Sequence, residues 1–246
     1  MATSATLLDP DRAAAYVVPM TNPLDRPVWH ALAGRQAGFA VKAGRVVRFD
    51  PLASPFIACA DDSPDTLAEV ARLLDGGDDE ALFFQRGPVP LPPGTARRGG
   101  GIGVQLVAEG FAVTEPPVGI VALSEADAAA MLALATLTEP GPFRARTHLL
   151  SQFWGVKGED GTLLAMAGER LKLPGMSELS GVCTHPDARG RGYAALLSRH
   201  VASQIVRRGE VPFLHAWASN AGALRLYERL GFRVRCEVEA LVVGLG

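Results

Sequence analysis

The chain has 246 residues, of which 48% are hydrophobic and 20% charged, and its formal net charge is −2. That balance supplies enough apolar surface for a buried core, and a net charge near zero leaves no electrostatic footprint for nucleic acid or an anionic membrane. The charge is unevenly spread: residues 1–116 hold 10 Lys or Arg against 14 Asp or Glu, and residues 117–246 hold 14 against 12.

Residues 1–30 carry Pro10, Pro19, Pro23 and Pro27 and read as coil with one short helix at 11–16. Residues 39–49 alternate about Gly44 as two short strands, and 57–59 form a third. Ser63 followed by Pro64 is a helix start, and Leu67, Val70, Ala71 and Leu74 mark the inner face of a helix ending before Gly76. Residues 81–84 read as a strand, 88–101 as a Pro- and Gly-rich loop, and 103–108 as a further strand. Pro116 and Pro117 divide a smaller N-terminal α/β domain, 1–116, from a domain at 117–246. The first resembles a degenerate copy of the second in element type, without a residue-level repeat.

After the prolines a fresh order begins. Residues 120–123 form a strand, and Ser124 with Asp127 caps a helix to Leu137. A second helix is expected from 141 to 150. A hairpin follows, 153–156 and 163–170, then a strand at 178–184, a helix at 191–208, a strand at 213–218, a helix at 221–230 and closing strand structure at 233–243. The order predicts an α/β (α+β) fold with a mixed sheet and helices on its faces.

Cys59, Cys183 and Cys236 are odd in number and far apart, so they make no disulfide framework, and neither they nor the five histidines show metal spacing. Asp9 and Asp11 near the start do not suit a signal peptide. Glu125 and Asp127 interrupt the most apolar stretch, 119–137, so no membrane span is expected. The chain reads as cytoplasmic.

The segment that carries chemistry runs from Val182 to Ala194. An apolar strand containing Val182, Cys183 and Thr184 leads through Arg189, Gly190, Arg191, Gly192, Tyr193 and Ala194 into an amphipathic helix with Ala194, Leu197, Val201 and Ile205 on its inner face. A helix start built from glycines presents free N–H groups and the positive end of the dipole. Gly190 and Gly192 admit a bulky pyrophosphate, and Arg189 and Arg191 add charge. A second run of the same form, Arg98 to Gly103, follows a Pro-rich loop and leads into no helix. It reads as plain loop. The Lys-Ser/Thr of a nucleotide-binding P-loop is missing.

These residues resemble the acyl-CoA motif of the GNAT superfamily, Gln/Arg-x-x-Gly-x-Gly/Ala, as Arg189, Gly192 and Ala194. Asn220 after the next strand and the run Leu226-Tyr227 to Gly231-Phe232 resemble its downstream signature, and residues 178–232 look more loosely like glycine N-acyltransferases. The resemblance implies a largely antiparallel central sheet, acetyl-CoA or another acyl-CoA as co-substrate with no metal, and an amine acceptor, small molecule or peptide. It implies N-acetyl transfer by direct attack in a ternary complex. The backbone of Val182, Cys183 and Thr184 runs beside the pantetheine arm and offers an oxyanion donor, Asn220 binds that arm, and Tyr227 protonates the leaving thiolate. Glu178 is the general base, with Glu169 or a water chain as alternatives. Trp154 and Trp217 line a pocket or pack in the core, and His200 packs. Cys183 lacks the activating base an acyl-cysteine route needs. The acceptor, the acyl length and the oligomeric state stay open, a homodimer being one option. A non-catalytic acyl-CoA sensor is the competing reading.

Overall fold

The computed structural model describes residues 22–115 and 119–246. The helix expected at 11–16 and the paired prolines at 116 and 117 lie outside them. Eleven strands and five α-helices are described. In chain order they are α1 (Pro27–Leu32), β1 (Ala40–Ala43), β2 (Val46–Phe49), β3 (Ile57–Cys59), α2 (Pro64–Leu67), β4 (Ala81–Gln85), β5 (Thr95–Val107), β6 (Val121–Ala122), α3 (Ala128–Thr138), β7 (Phe153–Lys157), β8 (Leu163–Leu173), β9 (Met176–Thr184), α4 (Tyr193–Arg207), β10 (Val211–Trp217), α5 (Ala221–Arg229) and β11 (Arg233–Leu245).

An eight-stranded sheet runs β4-β11-β5-β10-β9-β8-β7-β6, with a small sheet β1-β2-β3 beside it. Every ladder in the large sheet is antiparallel except β9 with β10. One face is covered by α4 and α5, whose Leu197, Val201, Ile205 and Tyr227 meet Leu106, Ala165, Leu179 and Leu214. The other carries α1, with Val28 and Leu32 against Leu171 and Phe213, and α3, with Met131 and Leu134 against Met166 and Cys183. The sheet is thus buried on both sides, as its apolar strands require.

The division at 116/117 does not divide this sheet. β5, from the first half, is hydrogen-bonded between β10 and β11 of the second, and β4 closes the edge beyond β11. Residues 95–101 are therefore strand and not loop. Glycine weakens an isolated strand, but here it lets β11 approach: a Cβ on Gly100, at φ 142°, would lie 2.2 Å from the Ala240 carbonyl oxygen. The long pairing overrides local propensity.

Two expected helices differ. Residues 64–73 form the short α2 and then a 3₁₀ turn at Val70–Leu73, with Leu67, Val70 and Leu74 all buried as the periodicity requires. Residues 141–146 are not helical, and only a 3₁₀ turn at Thr147–Leu150 forms. Pro140 and Pro142 flank Gly141, which is at φ 124°, a conformation outside any helix. In the stretch expected as coil, Pro27 opens α1 and Val28, Ala31 and Leu32 are buried. The cap at Ser124 and Asp127 forms as a capping box.

Candidate active site

The parallel pairing of β9 with β10 stops at Glu178 and Phe213. Beyond it, residues 180–184 and 215–217 have no ladder between them, because β10 continues its pairing with β5 while β9 bends toward β8. A register shift in β9 next to Gly181, at φ 63°, makes the bend. The gap opens into a cavity of about 880 Å³ that passes through the sheet. On the α4/α5 side it is lined by the turn before α4 and by Asn220 and Tyr227. On the opposite side it is lined by Phe56, Leu82, Phe84, Glu139, Pro140 and Arg170.

The glycine turn is built as a donor cradle. Gly190 and Gly192 are left-handed, at φ 78° and 81°, and Gly192 is the N-cap of α4. The first backbone hydrogen bond into the helix is Leu196 N–H to Gly192 O at 3.0 Å. The N–H groups of residues 190–195 have no acceptor among the described residues. A Cβ on either glycine would meet nothing within 4 Å, so the space before the helix is open to a ligand. Arg189 borders that space. Arg191 donates back to the Asp187 carbonyl at 3.4 Å. Thr184 adds a buried hydroxyl, Oγ1, without a partner among the described residues, an atom that an ordinary core would satisfy.

The sequence-predicted residues Val182, Cys183, Thr184, Arg189, Gly190, Gly192, Tyr193, Ala194, Asn220 and Tyr227 all line this one cavity. Asn220 also caps α5, its Oδ1 accepting from Ala223 N–H at 3.1 Å. Tyr227 is 8% exposed, burial pushes its hydroxyl up to about 12, and no group among the described residues bonds to that hydroxyl. Trp217 lines the cavity, whereas Trp154 packs against the buried His200 ring, centroids 4.5 Å apart. Cys183 borders the cavity as an inert thiol pushed up to about 11 by burial.

The two carboxylates expected as base are placed otherwise. Glu178 is fully buried and does not line the cavity. Its oxygens accept from Arg170 Nε at 2.9 Å and Nη2 at 2.6 Å, from Leu171 N–H at 3.3 Å, and from His215 Nδ1–H at 2.8 Å. Burial alone would raise its pKa, but Arg170 and the His215 hydrogen bond outweigh burial and hold it at about 2. A carboxylate so saturated is a poor proton acceptor. Glu169 is equally buried and is held by Arg208 at 2.7 Å, away from the cavity.

Glu139, Arg170, His215 and Phe56 are among the lining residues that were not foreseen. Burial lowers the His215 pKa and outweighs the Glu178 carboxylate beside it. With its proton on Nδ1 facing Glu178, its Nε2 accepts from Gln105 Nε2 at 2.9 Å. Gln105 Oε1 in turn accepts from Arg235 at 2.9 Å, and Arg235 pairs with Asp25 at 2.6 Å. The gap in the sheet is thereby braced by a bonded network from both halves of the chain. Glu139 ends α3 at φ 48°, the only non-glycine with positive φ among the described residues. Its carboxylate, unlike those of Glu169 and Glu178, is in no ion pair among them. Among the described residues, no cluster of His, Cys, Asp or Glu could hold a metal, and no helix is long and apolar enough to cross a membrane.

The chain is similar to known proteins over this same region. The model of the FR47-like protein family matches residues 156–241, and no curated protein matches the chain. A GNAT-family protein from Novosphingobium aromaticivorans DSM 12444 is 45% identical, over 92% of this chain and 99% of that one, with a TM-score of 0.86. A GCN5-related N-acetyltransferase from Kribbella flavida shares the fold at 19% identity and a TM-score of 0.62, over 90% and 95% of the two chains. At 45% identity over nearly the whole of both chains, the relation is one of family and not of fold alone: the chain belongs to the GNAT family of acetyltransferases.

Proposed function

We propose that the protein transfers an acetyl or other short acyl group from acyl-CoA to a primary amine on a small molecule or peptide, by direct attack with both substrates bound. The observation that supports this best is the cavity itself, which offers a donor cradle on one face of the sheet and a separate wall with a free carboxylate on the other. The pyrophosphate suits the N–H groups of 190–195 with Arg189 beside them. The pantetheine arm suits the unpaired edge of β9 at Val182, Cys183 and Thr184, with Asn220 opposite.

The reaction then needs two proton movements. The amine nitrogen forms a bond to the thioester carbonyl carbon, the carbon–sulfur bond breaks, the amine loses a proton and the thiolate gains one. Backbone N–H groups on the open edge of β9 stabilise the developing oxyanion. The Tyr227 hydroxyl, kept protonated by burial, supplies the thiolate. Because Glu178 is saturated and Glu169 is paired with Arg208 away from the cavity, the amine proton passes to Glu139, directly or through water. We place the reaction in the cytoplasm, where acyl-CoA is supplied and three thiols stay free.

The test is calorimetric titration of the protein with acetyl-CoA beside the Gly192→Glu variant, followed by CoA release with a panel of amines. Binding that the variant loses, with turnover of some amine, supports the reading. Binding without turnover of any amine favours the sensor, and no binding of acetyl-CoA, CoA or a longer acyl-CoA by folded protein overturns the acyl-CoA site.

A further inference from the structure

The acceptor wall contains a charged side chain that is nine-tenths buried and only half used. Arg170 gives one side of its guanidinium, Nε and Nη2, to Glu178. Its Cζ lies over the Phe56 ring, 4.8 Å from the centroid. The remaining edge, Nη1 with the second hydrogen of Nη2, has no acceptor among the described residues, and Arg170 lines the cavity. A guanidinium fixed on one side and seated over an aromatic ring is preorganised, and its free edge matches the two oxygens of a carboxylate.

The rest of the wall bounds the ligand further. Phe56 and Phe84 stack with centroids 5.9 Å apart, and Leu82 continues the apolar surface. Glu139 stands on the same wall. Arg170 and Glu139 both line the large cavity, so the cation and the free anion border one space. A ligand that answers all three features has an ammonium for Glu139, a carboxylate for Arg170 and an apolar body for the phenylalanines. We infer that the acceptor is an amino acid with an apolar side chain, held by the free edge of Arg170 and acylated on its amine. This rests on the acyl-CoA reading above and narrows its acceptor.

The experiment follows CoA release from acetyl-CoA with L-leucine, L-methionine and L-phenylalanine, each beside its carboxamide and its decarboxylated amine. The amides have the less basic amine and hence more of it neutral, so intrinsic reactivity favours them and only recognition favours the acids. At least one amino acid should exceed its amide in kcat/KM by about ten- to a hundredfold, the difference lying mainly in KM, as expected when a charge-assisted bond is lost. Arg170→Lys should compress that ratio to within about threefold while leaving acetyl-CoA affinity within about twofold. If that variant fails to fold, the acid-to-amide ratio of the unaltered protein decides alone. A ratio near one, a preference for the amides or amines, or no turnover of any of the three amino acids by a protein that binds acetyl-CoA overturns the inference. Failure to bind acetyl-CoA removes the reading beneath it as well.

Discussion

Arg170 and Glu178 form a two-point ion pair out of solvent, at 2.9 and 2.6 Å, directly behind the gap where β9 and β10 part. Replacing Glu178 by Gln leaves the buried guanidinium unpaired, which costs about 3–5 kcal/mol. Denaturant unfolding of Glu178→Gln should show a loss of that order, with activity falling through disorder of the gap and not through loss of a base.

Acid should destabilise the protein in two windows. The His215 pKa is lowered in the fold, so below its ordinary value near 6.5 the unfolded chain takes up a proton that the native ring refuses. Glu178 sits at about 2 against an ordinary 4.5, so its contribution is full above pH 4.5 and is lost as the pH falls toward 2. Unfolding free energy measured from pH 8 to pH 3 should fall in both ranges. His30 and His200, lowered likewise by burial, contribute to the upper range, so His215→Gln should remove part of it, and a flat profile above pH 5 would count against a lowered His215.

Tyr227→Phe should lower kcat by about ten- to a hundredfold with acetyl-CoA affinity unchanged, within the range for loss of a general acid. Its hydroxyl is pushed up to about 12, so no limb from Tyr227 should appear in the pH–rate profile of the unaltered enzyme below pH 11. Stability should change little, since the hydroxyl bonds to no group among the described residues. An unchanged kcat when chemistry limits turnover would remove Tyr227 from the reaction.

Glu139 should show a trade between stability and activity. Its φ of 48° strains a side-chain-bearing residue. Glu139→Gly should stabilise the fold by about 0.5–1 kcal/mol in thermal unfolding and still lower kcat/KM at least about tenfold. Glu139→Gln should lower activity without the gain in stability. Full activity in both variants would assign the proton to a water chain.

The fragment 117–246 should not fold alone. It lacks β5, and β10 and β11 would face each other across an empty strand position with unpaired ladder groups. Circular dichroism should show no cooperative melt for the fragment, and adding residues 1–116 in trans is the arm that tests for recovery.

Local chemistry was legible in the chain itself. Serine marks the start of α2 and of the turn leading into α3, the spacing of Leu197, Val201 and Ile205 sets the buried face of α4, and the glycines at 190 and 192 fix the cradle by left-handed backbone that other residues resist. Each of these is decided within a few residues. A hairpin was also within reach: Gly175 turns β8 into β9, pairs Leu173 with Met176, and brings Arg170 and Glu178 together only eight positions apart. What the sequence could not decide was pairing at long range. Nothing near Gly100 says that Ala240 will lie against it, and the insertion of β5 beside β10 leaves β9 free to part from that strand. Nor does the spacing of charges tell Glu139 from Glu178. Both are carboxylates near the end of an element, and only the tertiary structure gives one a guanidinium and leaves the other facing the cavity, because burial and partners, not residue type, determine whether a carboxylate can accept a proton.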